Sequence, residues 1–315
     1  VRGRRCRSGE VTRPAQVHLV GQNRVMGRWG TRTGPEVPVV TDVGLDEAGD
    51  LCRRDPVGSV LVAARLEALA AGGADRGGGS LWGVRRDGRL EAACWAGANL
   101  VPLAAPGDEE SLVAFASAAR AQGRRCSSIV GPAHAVLGMW ARLRPSWGEP
   151  REVRPDQPSL VMEHLSAVPA DPRVRRSRPE ELPLLLPACV DMFVEEVGYS
   201  PLVGAPGAYE GRVRALVEAG RSFVRVDDRA RGPQVVYKAE LGAVSRDVVQ
   251  VQGVWVAPDR RGQGLAAPAM AATVRHALAV APCVSLYVNR FNDRALAVYE
   301  RVGFTQVGTF ATVLF

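Results

Sequence analysis

The sequence predicts an α/β chain: a mixed central sheet with helices on its faces. Three observations predict it. Short β-rich runs alternate with longer stretches of helical apolar spacing along the chain. The C-terminal half reads β-α-α-β-β-β-α-β-α-β-β, an order that places helices against both faces of a sheet. And 315 residues suit two units of roughly 150 each.

The elements follow in order. Residues 1–37 are rich in Arg and Gly without periodicity, which predicts a disordered basic tail. A first unit spans 38–165. Its run VGSVLVAARLEALAA (57–71) reads as a helix. Strands at 81–84 and 90–95 flank Asp87-Gly88, a hairpin turn signal. A helix over 108–122 opens on acids. A short strand (126–130), a helix (133–143) and a strand (158–165) follow, and Ser166–Pro172, with two prolines and an aspartate, reads as a linker. The second unit spans 173–315. After a strand at 173–177, Pro179-Glu180-Glu181 starts a helix that ends at Gly198, and a second helix covers 207–219. Strands at 221–227, 234–244 and 247–257 lead to a helix (264–280), a strand (283–288), a helix (293–302) and a strand pair (304–315). Pro268 is expected to cost the helix at 264–280 a backbone hydrogen bond.

Charge excludes some functions. The net charge is +7, but residues 1–33 hold eight arginines and one acid, so that stretch carries all of it. The neutral remainder has no surplus from which to build a phosphate-tracking groove, so no nucleic-acid partner is expected. Lys238 is the only lysine, against 39 arginines. The longest apolar runs are about half the roughly 20 residues a bilayer needs, and no apolar stretch of signal-peptide type stands at the start. The expectation is a cytoplasmic chain with no membrane partner. Six scattered cysteines and four scattered histidines predict reduced thiols and no metal site.

The segment VQGVWVAPDRRGQGLA (251–266) runs from a strand through Pro258 into a glycine loop that opens the next helix. Glycines let a backbone approach a ligand, and the free N–H groups of a helix N-terminus attract an anion. This makes the loop a candidate pyrophosphate cradle. It lacks the G-K-[ST] of a Walker loop and is not a complete dinucleotide fingerprint. After the helix comes SLYVNRFNDRALAVYERVGF (285–304), a buried strand followed by a helix that carries Asn292, Ala295 and Tyr299 and ends at Gly303-Phe304.

Strand, glycine loop, helix, strand and N-x-x-A-x-x-x-Y-x-x-x-G-F together resemble the GNAT acyltransferase superfamily over about 173–315. The resemblance implies the GNAT fold there and an acetyl-CoA-dependent N-acetyltransferase acting on an amine acceptor. It implies that Arg261, Gly262, Gln263, Gly264, Leu265 and Ala266 hold the pyrophosphate of acetyl-CoA. The backbone of Val254, Trp255 and Val256 would pair with the pantetheine arm, Asn292 would help fix it, and Tyr299 would face the thioester sulfur as the acid that protonates the thiolate. Further strings, among them GANLVP (97–102), MFVEEVGYSP (192–201) and VYKAELGAV (236–244), are similar to an actinobacterial group that joins an N-terminal domain to a C-terminal GNAT domain.

The general base stays open. Gln250 and Gln252 cannot ionise. Glu240 lies on a strand with Lys238 two residues away on the same face. Glu195, Glu196 and Tyr199 end the first helix of the second unit, and a base acting through water would need no unique residue. The candidate catalytic acids beside Tyr299 are Glu240 and Glu196. SSIV (127–130) followed by a helix with Trp140 resembles SLYV followed by the helix with Tyr299, so the first unit reads as a degenerate, non-catalytic GNAT-like half. Two alternatives remain beside the enzyme: an acyl-CoA-binding regulatory module without turnover, and a tandem acyltransferase of the mycothiol-synthase type.

Overall fold

Apolar residues two apart in the β runs and three or four apart in the helical runs dictate where each element buries its side chains. The computed structural model describes residues 37–72, 78–203, 206–229 and 232–315. The expected basic tail lies outside them except for Val37, as do residues 73–77, 204–205 and 230–231.

The first half contains helices α1 (Leu45–Arg54) and α2 (Val60–Ala70), then strands β1 (Ser80–Arg86), β2 (Arg89–Ala96) and β3 (Asn99–Leu103). Helix α3 (Glu109–Gln122), strand β4 (Ser128–Pro132), helix α4 (Ala133–Trp147) and strand β5 (Glu152–Met162) complete it. The second half opens with the two-residue strand β6 (Arg175–Arg176). It then repeats the same order: α5 (Leu182–Val197), α6 (Pro206–Glu218), β7 (Ser222–Arg229), β8 (Gly232–Val244) and β9 (Val248–Val256). Helix α7 (Ala266–Leu278), strand β10 (Cys283–Tyr287), helix α8 (Asp293–Val302) and strand β11 (Thr305–Leu314) follow. Element for element, α1-α2-β1-β2-β3-α3-β4-α4-β5 matches α5-α6-β7-β8-β9-α7-β10-α8-β11.

All eleven strands form one sheet, ordered β1-β2-β3-β4-β11-β5-β10-β9-β8-β7-β6. Each half's last strand crosses to the other half: β11 pairs with β4 and β5 pairs with β10, both antiparallel, and β5 and β11 pair with each other. The exchange leaves neither half an open central edge, which would otherwise be a template for aggregation. Three antiparallel steps separate β4 from β10, so the two run in opposite directions. Helices α3 and α4 cover β2, β4 and β11 through Phe115, Met139 and Trp140. The pair α7 and α8 covers β8, β9 and β10 through Met270, Val274 and Tyr299. Helices α5 and α6 close over Val224, Val235 and Trp255.

Four departures from the sequence reading have local causes. Helix α1 was not expected; its apolar residues are few, and only Ala48 and Cys52 are buried. Strand β3 is five residues with a proline in it, too short to carry a period. The expected final strand pair is one long strand, because Gly308 marks a register slip against β5 and not a turn. Pro268 is the third residue of α7, where a backbone N–H has no intrahelical acceptor, so no bond is lost. Its carbonyl instead accepts from the Asp171 amide at 2.9 Å.

Candidate active site

Strands β9 and β10 run parallel but stay together for only three residue pairs, Val248–Cys283, Val249–Val284 and Gln250–Ser285. Beyond Gln250 they part, and β9 continues for six residues without β10. The parting opens a cleft of about 1900 Å³, lined on one side by Val251–Val256 and on the other by Leu286, Tyr287 and Val288.

The glycine loop stands at the mouth. A single 3-10 turn, Pro258–Arg260, redirects the chain out of β9. Gly262 and Gly264 both take φ of +74°, a left-handed backbone that L side chains disfavour by roughly 1–2 kcal/mol. A Cβ at either would meet nothing within 4 Å, so conformation and not crowding selects glycine there. The loop delivers the chain into α7 with no acid in the first turn, leaving the positive end of the helix dipole uncompensated. Gly262, Gly264, Leu265 and Ala266 line the cleft. Gln263 does not; its amide donates to the Asp259 carbonyl at 2.9 Å. Arg261 lines the cleft but is tied back by donation to the Val256 carbonyl at 2.9 Å and to Glu195 at 2.7 Å. Trp255 reaches the same carboxylate at 3.4 Å.

A bulge shapes the middle of β9. Tyr237 and Lys238 pair with Val256 and Trp255, and Glu240 pairs with Gln252. Gly253 and Val254 therefore both oppose Ala239. Gly253 sits at φ +58°, the left-handed glycine that such a bulge favours. The glycine in VQGVWV is the sequence signal that could have located it. Its missing side chain also makes room, since a Cβ there would lie 3.1 Å from Glu240 Cδ and from Lys238 Nζ.

Tyr299 projects from α8 into the cleft, 7% exposed, its ring edge-on to Phe304 at 5.9 Å. Burial, helped by the charge of Glu196, pushes its hydroxyl well above the usual phenol value and keeps it protonated. Among the described residues its hydroxyl has no hydrogen-bond partner. Asn292 lines the cleft and caps α8, its side chain accepting from the Ala295 amide at 3.2 Å.

The two carboxylates proposed from sequence stand differently. Glu240 is 6% exposed, and Lys238 Nζ lies 2.6 Å from it. Glu196 is exposed at the end of α5 and pairs with Arg154 of β5 at 3.1 Å. Arg154 also donates to the Glu196 carbonyl at 2.6 Å and is gripped by Glu152. A strand of the first half thus fixes the end of α5, a contact between residues 42 apart that no local pattern announces. Tyr199 lies under the Arg151 guanidinium at 4.5 Å. The first half further supplies Leu61, Ala64, Arg65 and Ala68 of α2 to the cleft wall. Among the described residues no cluster of three or more His, Cys, Asp or Glu could hold a metal, and no helix is long and apolar enough to cross a membrane.

The chain is similar to known proteins. Residues 209–304 match the Acetyltransferase (GNAT) family, and residues 79–185 match a domain of unknown function, DUF4081. "Acetyltransferase Atu2258" of Agrobacterium fabrum is 35% identical over 69 residues, 22% of this chain, and the chain spans about half the length of that relative. Among solved structures, a Drosophila protein superposes over 90% of this chain and 99% of its own, at a TM-score of 0.63 and 15% identity. A GCN5-related N-acetyltransferase from Kribbella flavida covers 82% of this chain and 95% of its own, at 20% identity and a TM-score of 0.49. The chain carries a C-terminal domain of the GNAT acetyltransferase family, preceded by a DUF4081 domain.

Proposed function

We propose that this protein is an acetyl-CoA-dependent N-acetyltransferase that moves the acetyl group to a primary amine by direct attack on the thioester. One observation carries the reading: a helix N-terminus with an open glycine loop, a strand parted from its neighbour and an unpartnered tyrosine hydroxyl all face one cleft. The loop from Arg261 to Ala266 would hold the pyrophosphate by its backbone, and Val254–Val256 would bind the pantetheine arm as a further strand would. Gly262 and Gly264 leave the approach open, which fits a bulky diphosphate.

In this reading the amine nitrogen forms its bond to the acetyl carbon as the carbon–sulfur bond breaks. Tyr299 gives its proton to the departing thiolate, the better leaving group once neutralised. Glu240 or Glu196 takes the proton that the amine sheds. The substrate pool is that of the cytoplasm. The acceptor enters from the face covered by α2, α5 and α6.

The test is release of thiol from acetyl-CoA across a panel of small amines, amino sugars, lysine peptides and peptides with free N-termini. Turnover with at least one class is expected. Binding of acetyl-CoA with no transfer and no hydrolysis across the panel would point instead to a regulatory CoA-binding module.

A further inference from the structure

The one lysine of the chain sits in an unusual place. Lys238 is 0% exposed, although every other basic side chain bar histidine is an arginine. Its position on β8 explains the choice. The ammonium lies beneath Gly253, where even a Cβ would crowd it at 3.1 Å, and ammonium is the more compact of the two basic head groups. Its ion partner is Glu240, at 2.6 Å.

The groups around this pair come from every neighbouring element. Cys189 of α5 lies with its Sγ 3.8 Å from Glu240, and Tyr209 of α6 donates to the Cys189 carbonyl at 2.9 Å. Ser222 of β7 and Gln252 of β9 flank Glu240 in the sheet. Burial pushes the Cys189 thiol up to about 11, so it stays neutral. Burial pushes the Lys238 ammonium down, but the charge of Glu240, the Cys189 sulfur and hydrogen bonding to both together outweigh it and hold the ammonium above the ordinary lysine value. Lys238 is thus the only cation in direct contact with Glu240 among the described residues. Glu240 and Gly253 line the cleft, and Lys238 does not.

We propose that Lys238 is a positioning residue: it fixes Glu240 as an oriented carboxylate at the acceptor side of the cleft, directly behind the Gly253 bulge, and thereby makes Glu240, not Glu196, the group that receives the amine's proton. This rests on the acetyl-transfer reading above. The proton goes from the acceptor nitrogen to Glu240, and Lys238 keeps its own throughout. Glu196, exposed and already clasped by Arg154, holds the end of α5.

Because the chain has a single lysine, protein labelled with carbon-13 at lysine Cε gives one side-chain signal that needs no assignment. In the wild type that signal should keep its ammonium position to a higher pH than free lysine does in the same buffer. In Glu240→Gln it should titrate at least two pH units lower than in the wild type. A wild-type signal that titrates like free lysine, or one indifferent to Glu240→Gln, overturns the pairing. The role is read from kcat/KM against pH, using the fastest amine of the panel. Lys238→Met should raise the acid limb by at least one pH unit and cut activity at pH 7 at least tenfold, with the Kd for acetyl-CoA within twofold of wild type. The double variant Lys238→Met/Glu240→Gln buries no lone charge and serves if Lys238→Met does not fold; it should be no slower than Glu240→Gln. An unmoved acid limb, or a double variant as slow as the product of the two single losses, overturns the role. A wild type that turns over no amine defeats the acetyl-transfer reading, and the role assigned to Lys238 with it, while the lysine signal still decides the pairing.

Discussion

Laid over one another, the two halves share an element order but not the side chains at matching positions. Matching Ser128 to Ser285 places Asn99 where Gln250 stands, and from there the strands can be compared residue by residue. Gly253 of the bulge corresponds to Pro102, which pairs regularly with Cys94 and has no N–H to offer. The places of Lys238 and Glu240 are taken by Ala93 and Trp95. Where α7 begins on a glycine loop without acids, α3 begins on Asp108, Glu109 and Glu110. Asp108 already occupies its helix N-terminus, accepting from the Ser111 amide at 3.2 Å and pairing with Arg86. Trp140 stands near the place of Tyr299 and packs edge-on to Phe315. The first half has the same order of elements, with a carboxylate side chain seated at the N-terminus of its corresponding helix. What it contributes is a wall: α2, the start of β5 and Arg154 face the other half's cleft. An element order can therefore persist while the side chains at fixed positions change.

The sharpest break in the comparison is at the two aromatic residues. Tyr299→Phe should lower turnover by about 100-fold or more, the usual scale of a lost general acid, with acetyl-CoA binding retained in equilibrium dialysis. Trp140→Phe should leave turnover within twofold. Next is the helix start. Ala266→Asp writes the acid of α3 into α7 and should weaken acetyl-CoA binding at least tenfold, measured by calorimetry at fixed salt, since like charge at a dipole end repels a diphosphate. Gly253→Ala should then slow transfer and lower stability by about 1–2 kcal/mol, read from denaturant melts, because it strains a left-handed residue and presses on the ion pair.

The smallest effect is expected in the first half. Asp108→Ala should cost about 1–2 kcal/mol and leave acetyl-CoA binding unchanged. Burial raises the Asp108 carboxyl, but hydrogen bonds from Arg86 and Ser111 outweigh it and hold it below its ordinary value. With the folded value depressed, its contribution is complete above the unfolded carboxylate range near pH 4 and is lost as pH falls below it. The wild-type and Asp108→Ala stabilities should converge on acidification.

The cleft's loop and its following helix were legible because their signals are local. Proline, glycines and the N-x-x-A-x-x-x-Y pattern fall within 47 residues, from Pro258 to Gly303-Phe304 with β10 between them. The exchange of β5 and β11 was not, since nothing in a strand's own residues says which of two equivalent edges it will join. The same holds for Arg154, whose partner lies on a helix of the other half. Strand β3 and helix α1 escaped for want of periodic apolar residues. The repeat itself could be glimpsed from SSIV and SLYV alone, yet its one-for-one element order needed the pairing of the strands.

The solitary lysine has a consequence for the protein's own surface. Thioesters acylate exposed lysines without any catalyst, and a protein that works in their presence collects such adducts over time. This chain offers them no exposed lysine: its one ε-amine is charged, paired and shut away behind Gly253. Any Nε-acyl mark found on it would have to lie at position 238, and would report that the strand pair above it had opened.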